Sequence, residues 1–249
     1  MTDLNYEEFY DKVGKINGWD FSNLQLTSEG AKWEFYEEVL KKVNDTDILL
    51  DIGTGGGENV LEIASSLLFL IGIDLSTSMA EAAQRNLLNS KASNVRFVQM
   101  SSENLLFPDG FFNVISSCHA PFHSQEVARV LKKDGVFLTQ QVSEADKWNI
   151  KKAFGRGQAY ELSDGILKDQ YTRELKDAGF SEVRSFDYDA TDYYKRPEDL
   201  LFLLTHTPII PQFGEEERDY EILKSFIDNN RTADGIRTNS KRFLIIAKK

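Results

Sequence analysis

The sequence predicts an α/β fold, a mostly parallel sheet with helices packed on both faces. Three observations carry this. Between Asp47 and Val142 short apolar runs alternate with helical segments, the order that a parallel sheet requires. The first of those runs ends in a glycine-rich turn that opens directly into a helix. Hydrophobic residues fill 41% of the 249 positions, enough for one sizeable core.

The elements follow in order. Tyr6, Phe9, Tyr10 and Val13 share one helical face and predict a helix over 5–16. Trp33, Tyr36, Leu40 and Val43 predict a second over 28–43, and Asn17-Gly18-Trp19-Asp20-Phe21-Ser22 forms a turn-rich link between them. Ile48–Ile52 is the first strand of the alternating region. Then come a helix over 57–66, a strand over 68–74, a helix over 77–89, strands over 95–100 and 111–117, and a helix over 124–131. A strand over 136–142 is entered through the Asp134-Gly135 turn. Residues 143–164 lack a clear period and read as a loop or an irregular helix. A helix over 167–178 ends at Gly179, which suits a C-terminal cap, and Phe180–Tyr188 reads as a sixth strand. Pro197 opens a helix over 197–205 at its favoured first position, another helix spans 215–229, and Phe243–Ala247 is a last strand.

Charge and cysteine content narrow the function. Acidic residues outnumber basic ones 40 to 29, a formal charge of −11, and such a surface repels phosphate backbones. The densest basic stretch is Lys147, Lys151, Lys152 and Arg156, which is short, so a nucleic-acid partner is not expected. A single cysteine, Cys118, excludes an intrachain disulfide and fits a reducing compartment. The opening MTDLNYEEFY has no basic and apolar regions of a signal peptide, and no apolar run is long enough to span a bilayer. The expectation is a cytoplasmic protein without membrane attachment, monomer or homodimer.

The chemistry is concentrated in Asp51-Ile52-Gly53-Thr54-Gly55-Gly56-Gly57. Glycines let a backbone turn tightly and approach a ligand with no Cβ in the way. Four glycines in five positions between a strand and a helix exceed what a simple reversal needs. The place is the carboxyl end of the sheet, where open α/β folds bind nucleotide-like ligands. The dinucleotide spacing G-x-G-x-x-G fails in both registers, because position 58 is Glu and position 60 is Val. Glu58 would also sit badly beside a pyrophosphate at a helix N-terminus, and no Gly-Lys-Ser/Thr follows to make a P-loop. Asp51, just ahead of the turn, suits a cationic ligand instead. S-adenosylmethionine carries a sulfonium and an ammonium and no phosphate, and Asp-x-Gly-x-Gly-x-Gly over 51–57 resembles the first motif of class I methyltransferases.

A second carboxylate, Asp74, ends the run Ile71-Gly72-Ile73-Asp74-Leu75. A carboxylate there can accept from two ribose hydroxyls; it is equally a residue type that caps helices. Ser76, Thr77 and Ser78 already offer caps, which leaves Asp74 for a ligand. With Leu49–Gly55, Gly72–Ser76 with Met79, Glu103–Gly110 and Glu126–Lys132, residues 48–142 are similar to the methyltransferase type 11 family of S-adenosylmethionine-dependent enzymes. About two-fifths of the chain carries the likeness.

The resemblance implies a Rossmann-like, seven-stranded methyltransferase fold with six parallel strands and an antiparallel last one near 241–248. It implies one domain over 1–249, with a helical lid over 1–44, a cofactor-binding core over 45–142, and 143–249 completing the sheet around a helical insertion at 195–235. Helices at 5–43 and 197–229 would form a cap, with Tyr6, Phe9, Tyr10, Trp19 and Phe21 either closing over the site or packing as an ordinary helix. It implies S-adenosyl-L-methionine as cofactor, with Asp51, Gly53, Thr54, Gly55 and Gly57 at its methionine end and Asp74 on the ribose. Ser101, Ser102 and Glu103 would lie by the adenine, although Ser101 stands where the family commonly has Asp. Leu75 and Met79 would pack nearby, Met79 serving equally well as core filler. Cys118 would be a small apolar neighbour of the cofactor.

The acceptor would meet the segment Ser117–His123, shorter here than in the family. His119 and His123 are the candidate general bases, and each also suits a capping or packing role at a strand-to-helix junction. Methyl transfer from a sulfonium is mainly a problem of alignment, so a base is not obligatory. The acidic, aromatic stretch Asp187–Tyr194 reads as a solvated strand end or as an attractor for a cationic acceptor. No metal site is expected. The expected reaction is methyl transfer to an oxygen, nitrogen or carbon of a small molecule. The rivals are an RNA or protein methyltransferase on the same core, a non-catalytic cofactor-binding protein, and a nicotinamide-dependent oxidoreductase.

Overall fold

A computed structural model describes residues 11, 12, 15 and 23–249. Tyr6, Phe9, Tyr10, Val13, Trp19 and Phe21 lie outside the described residues, and the expectations placed on them stay open. Eight strands form one sheet: β1 (Leu26–Glu29), β2 (Ile48–Ile52), β3 (Phe69–Asp74), β4 (Val95–Gln99), β5 (Phe112–Cys118), β6 (Leu131–Val142), β7 (Glu182–Tyr194) and β8 (Ile236–Lys248). The helices of the described residues are α1 (Phe35–Leu40), α2 (Glu58–Ile63), α3 (Thr77–Asn89), α4 (Ser124–Val130), α5 (Trp148–Phe154), α6 (Ile166–Asp177), α7 (Pro197–His206) and α8 (Glu217–Asn230).

The strand order is β1-β7-β8-β6-β5-β2-β3-β4. Strands β2 to β6 pair in parallel; β8 is antiparallel to both β6 and β7. Strand β7 therefore runs with the five central strands, so six strands share one direction and the last is reversed, as the resemblance implies. The central strands bury side chains on both faces because helices cover both. Leu50, Ile52, Ile115, Phe137 and Phe243 pack on one face with α4 and α6. Leu49, Leu70, Val114, Leu138 and Leu244 pack on the other with Phe35 and Val39 of α1 and with α2. A third cluster joins α5, α7 and α8 to Tyr194 and Ile236 at the end of β7 and the start of β8.

Two expectations are corrected. The helix over 28–43 is in fact a strand and a shorter helix. Residues Leu26–Glu29 pair antiparallel with β7, which makes eight strands where seven were expected, and Gly30, at φ +88°, turns the chain out of the sheet. In α1 the buried residues are Phe35 and Val39, while Leu40 is exposed and Trp33 and Tyr36 are spent on hydrogen bonds. Of the predicted face, Trp33, Tyr36 and Val43 also pack against the core and Leu40 turns outward. Second, Asp187–Tyr194 is not a solvated strand end: β7 pairs with β8 along its whole length, and Ala190, Asp192 and Tyr194 are buried. The basic stretch, too short by sequence for a nucleic-acid partner, is largely withdrawn from the surface as well. Lys147 and Lys151 are buried, and Arg156 pairs with Asp219. No helix among the described residues is long and apolar enough to cross a membrane.

Candidate functional site

The parallel strands end together at one edge, and the polar residues of interest lie along it. Asp51 and Ser116 are paired neighbours on β2 and β5; Cys118 and Gln140 are paired neighbours on β5 and β6. The turn after β2 is anchored by backbone bonds from Gly53 and Thr54 to Ile73 O, at 2.8 and 3.0 Å. Gly53, Gly55 and Gly57 have φ of +70°, +58° and +75°, a region closed to most side chains. A Cβ on Gly53 would lie 2.1 Å from Cβ of Ala120, and one on Gly57 2.4 Å from the Phe97 ring. The turn thus requires glycine twice over, by conformation and by close approach.

Asp51 is buried, 1% exposed. Its carboxylate accepts from Ser116 Oγ at 2.6 Å and from Tyr36 Oη at 3.3 Å. Burial raises its pKa to about 6 even against those hydrogen bonds. Asp74 ends β3 half-buried and accepts from the backbone N–H of Gly55 and of Ser76, each at 2.9 Å. Burial raises its pKa as well. Among the described residues no lysine or arginine pairs with either carboxylate. Asp11, by contrast, reaches the start of α3, where it accepts from Ser76 Oγ at 2.5 Å.

The remaining expected residues divide. Ser101 and Ser102 are half-buried, and Glu103 is exposed with its N–H donated to Ser101 Oγ at 3.2 Å. Ser102 Oγ donates to Pro121 O at 3.2 Å, tying this loop to the segment after β5. Leu75 is open at the edge, whereas Met79 is 2% exposed and belongs to the core. Cys118 is half-buried, and burial pushes its thiol up to about 12, so it stays protonated and apolar in character.

The two histidines part company. His123 caps α4, its Nδ1 accepting from Glu126 N at 3.4 Å, and it is exposed. His119 follows directly on β5 with φ +56°, uncommon for a residue with a side chain. The residue is exposed at the edge; desolvation first, and the charge of Arg242 second, hold its pKa well below the ordinary imidazole range.

Sequence reasoning missed Trp33, Tyr36 and Gln140 as site residues. Trp33 Nε1 donates to Gln140 Oε1 at 2.7 Å, and the Trp33 ring lies 4.6 Å from that of Tyr188. The available signal was a pair of glutamines, Gln140 and Gln141, following the apolar run Val136–Leu138 near the ligand-binding edge. Gln141 Nε2 donates to Ala120 O at 2.7 Å and fixes the backbone that faces Gly53. A groove of about 470 Å³ lies elsewhere, between α5 and α8, where the amides of Asn149 and Asn230 already donate to backbone carbonyls. It touches no group of this site.

The model of a methyltransferase domain family matches residues 49–135, the stretch from β2 to the start of β6. The chain is 28% identical over 238 residues to the protein MJ1252 of Methanocaldococcus jannaschii, covering 91% of this chain and 87% of that one. It is 39% identical over 97 residues to the methyltransferase YcgJ of Bacillus subtilis, 36% of this chain and 38% of that protein. The crystal structure of YcgJ superposes with a TM-score of 0.63 at 21% identity, over 86% of this chain and 97% of that chain. The ubiquinone/menaquinone biosynthesis C-methyltransferase UbiE of Citrifermentans bemidjiense is 27% identical over 199 residues, 66% of this chain and 83% of that protein.

Proposed function

We propose that this chain is a class I S-adenosylmethionine-dependent methyltransferase, as its similarities suggest, and that it methylates a small molecule held at the carboxyl edge of its sheet. The observation that carries the reading is the pair of sequestered carboxylates, Asp51 and Asp74, with no cation of the described protein beside them. Burying a carboxylate without a counter-charge costs free energy that a cationic ligand would recover. S-adenosylmethionine fits, having an ammonium for the Asp51 end and ribose hydroxyls for the free lone pairs of Asp74. A pyrophosphate does not, because it would place like charges together.

In this reading Gly53, Thr54, Gly55 and Gly57 carry the backbone past the methionine end, and Ser101, Ser102, Glu103 and Leu75 border the adenine. When bound, the cofactor supplies a methyl group already activated on a positive sulfur, and the protein supplies alignment. Ala120 lies against Gly53 and Cys118 pairs with Gln140, so the segment that would meet the acceptor begins beside this end of the site. The acceptor is read as a small molecule because the formal charge is −11 and the densest basic stretch is largely buried or paired, and because UbiE, a relative over most of its length, is named for ubiquinone and menaquinone biosynthesis.

Calorimetric titration with S-adenosylmethionine, S-adenosylhomocysteine and NAD tests the reading. Binding of the first two, lost in Asp74→Ala and absent for NAD, is the expected result. Binding of NAD instead, or of none of the three, would overturn it.

A further inference from the structure

The position of His119 invites a role as general base, but its hydrogen bonds point elsewhere. An indole N–H can only donate, so the Trp33 contact fixes Gln140 with Oε1 toward Trp33 and Nε2 away from it. The two protons of that Nε2 then face Cys118 Sγ at 3.6 Å and His119 Nε2 at 3.1 Å. His119 Nε2 must therefore accept, which leaves the proton of the neutral ring on Nδ1. Among the described residues Nδ1 has no hydrogen-bond partner, and the residue is exposed. The left-handed backbone of His119 is held by its own N–H, donated to Gln140 O at 2.8 Å, so Gln140 grips the residue at both ring and backbone.

We propose that His119 is a neutral hydrogen-bond donor to an oxygen of the methyl acceptor, with Gln140 and Trp33 as the positioning residues that lock its tautomer. This rests on the reading of the carboxyl edge as the acceptor site. A base needs a free lone pair, and the only one on this ring is occupied by an amide proton. A donor needs a free N–H, and Nδ1 has one. The charged groups that bear on the ring are Arg242 on β8, which opposes a second proton, and Asp146 in the segment after β6, which favours it; Arg242 and desolvation prevail. The acceptor class that fits carries a carbonyl, hydroxyl or enolate oxygen near the atom to be methylated.

Long-range proton–nitrogen NMR of the full chain labelled with nitrogen-15 distinguishes the two neutral tautomers and the imidazolium. The chain has three histidines, and the signals lost in His119→Asn belong to His119. The expected result is a single Nδ1–H tautomer that stays neutral down to about pH 5, below the ordinary pKa of about 6.5, and that becomes a mixture of tautomers in Trp33→Phe. An Nε2–H tautomer, titration near the ordinary value, or an unchanged tautomer in Trp33→Phe would overturn the assignment. On the same sample hydroquinone is expected to shift the Nδ1–H resonance and toluene to leave it in place; a shift by both or by neither would overturn the donor role. None of these measurements uses S-adenosylmethionine, so their failure is distinct from failure of cofactor binding.

Discussion

At the carboxyl ends of β2 and β3 two carboxylates are buried or half-buried beside backbone N–H and hydroxyl groups, with no cation of the described protein paired to them. Around β7 and β8 several buried charges are coupled in pairs. Lys147, 2% exposed, pairs with Asp192 and donates to Thr238 Oγ1 at 3.0 Å. Arg242 pairs with Asp146, and Arg156 holds Asp219 through two bonds of 2.7 and 2.9 Å. The contrast separates two uses of charge in one sheet. A coupled pair is complete within the fold and fastens segments together; an uncoupled carboxylate at a ligand edge leaves a demand that something else must meet. The two regions should therefore respond in opposite ways to substitution.

The largest effect belongs to the coupled region. Lys147→Ala leaves Asp192 buried with only the Ser28 hydroxyl and removes the ammonium from the Tyr194 ring, 5.2 Å away. Breaking a buried pair on one side costs about 3–5 kcal/mol, and urea unfolding should register it. Affinity for S-adenosylmethionine in the folded fraction should stay as in the parent. A loss of affinity without a loss of stability would erase the distinction between the regions.

Asp74→Ala is the converse test. It removes an acceptor of two backbone bonds and of the proposed ribose contacts. Hydrogen bonds to a charged group contribute about 1.5–3 kcal/mol each, so calorimetry should find S-adenosylmethionine bound roughly 10–100-fold more weakly. The urea midpoint should fall by less than in Lys147→Ala. The reverse ranking would place Asp74 among the structural carboxylates.

The same contrast explains what could be read from the chain alone. The ligand's demands on the first region fall on contiguous residues: a turn over 51–57 and the last residue of the next strand, Asp74. Glycine spacing and an acid at a strand end are local signals, and six strands of one direction follow from alternating apolar runs. The second region depends on partners 45 and 96 positions apart, Lys147 with Asp192 and Arg242 with Asp146, and no local pattern announces such a pairing. Trp33 meets Gln140 across 107 positions, so two site residues looked like a helix face and a strand end. Helical spacing also misplaced residues 28–29 and left 26–27 unassigned, because a four-residue edge strand with exposed side chains has no burial pattern to betray it. Met79 is the opposite case: the family motif and core packing explained it equally well from sequence, and in the fold it is buried in the core.

The smallest predicted effect is a pH dependence, and it bears directly on the uncoupled carboxylates. Burial raises Asp51 from 3.8 to about 6, so the folded chain holds that proton more tightly than the unfolded chain does. The stability this contributes is complete below the unfolded value and is lost as pH rises through about 6. Ionised Asp51 is the form a ligand ammonium would choose. Stability and affinity should therefore move in opposite directions: between pH 5 and 7 this residue lowers the unfolding free energy while S-adenosylmethionine binds up to about tenfold more tightly, the ratio of ionised fractions for a group titrating near 6. In Asp51→Asn both slopes should flatten, apart from what Asp74 contributes, since burial raises that group too. Calorimetry and urea unfolding at pH 5, 6 and 7 measure the two slopes. A coupled carboxylate would behave otherwise: Asp192, held low by Lys147 against its own burial, loses its contribution only as pH falls through its depressed value. An affinity that ignores pH across this window, in a chain whose stability still follows Asp51, would mean that the buried carboxylate serves the fold and that the cationic end of the ligand rests on another group.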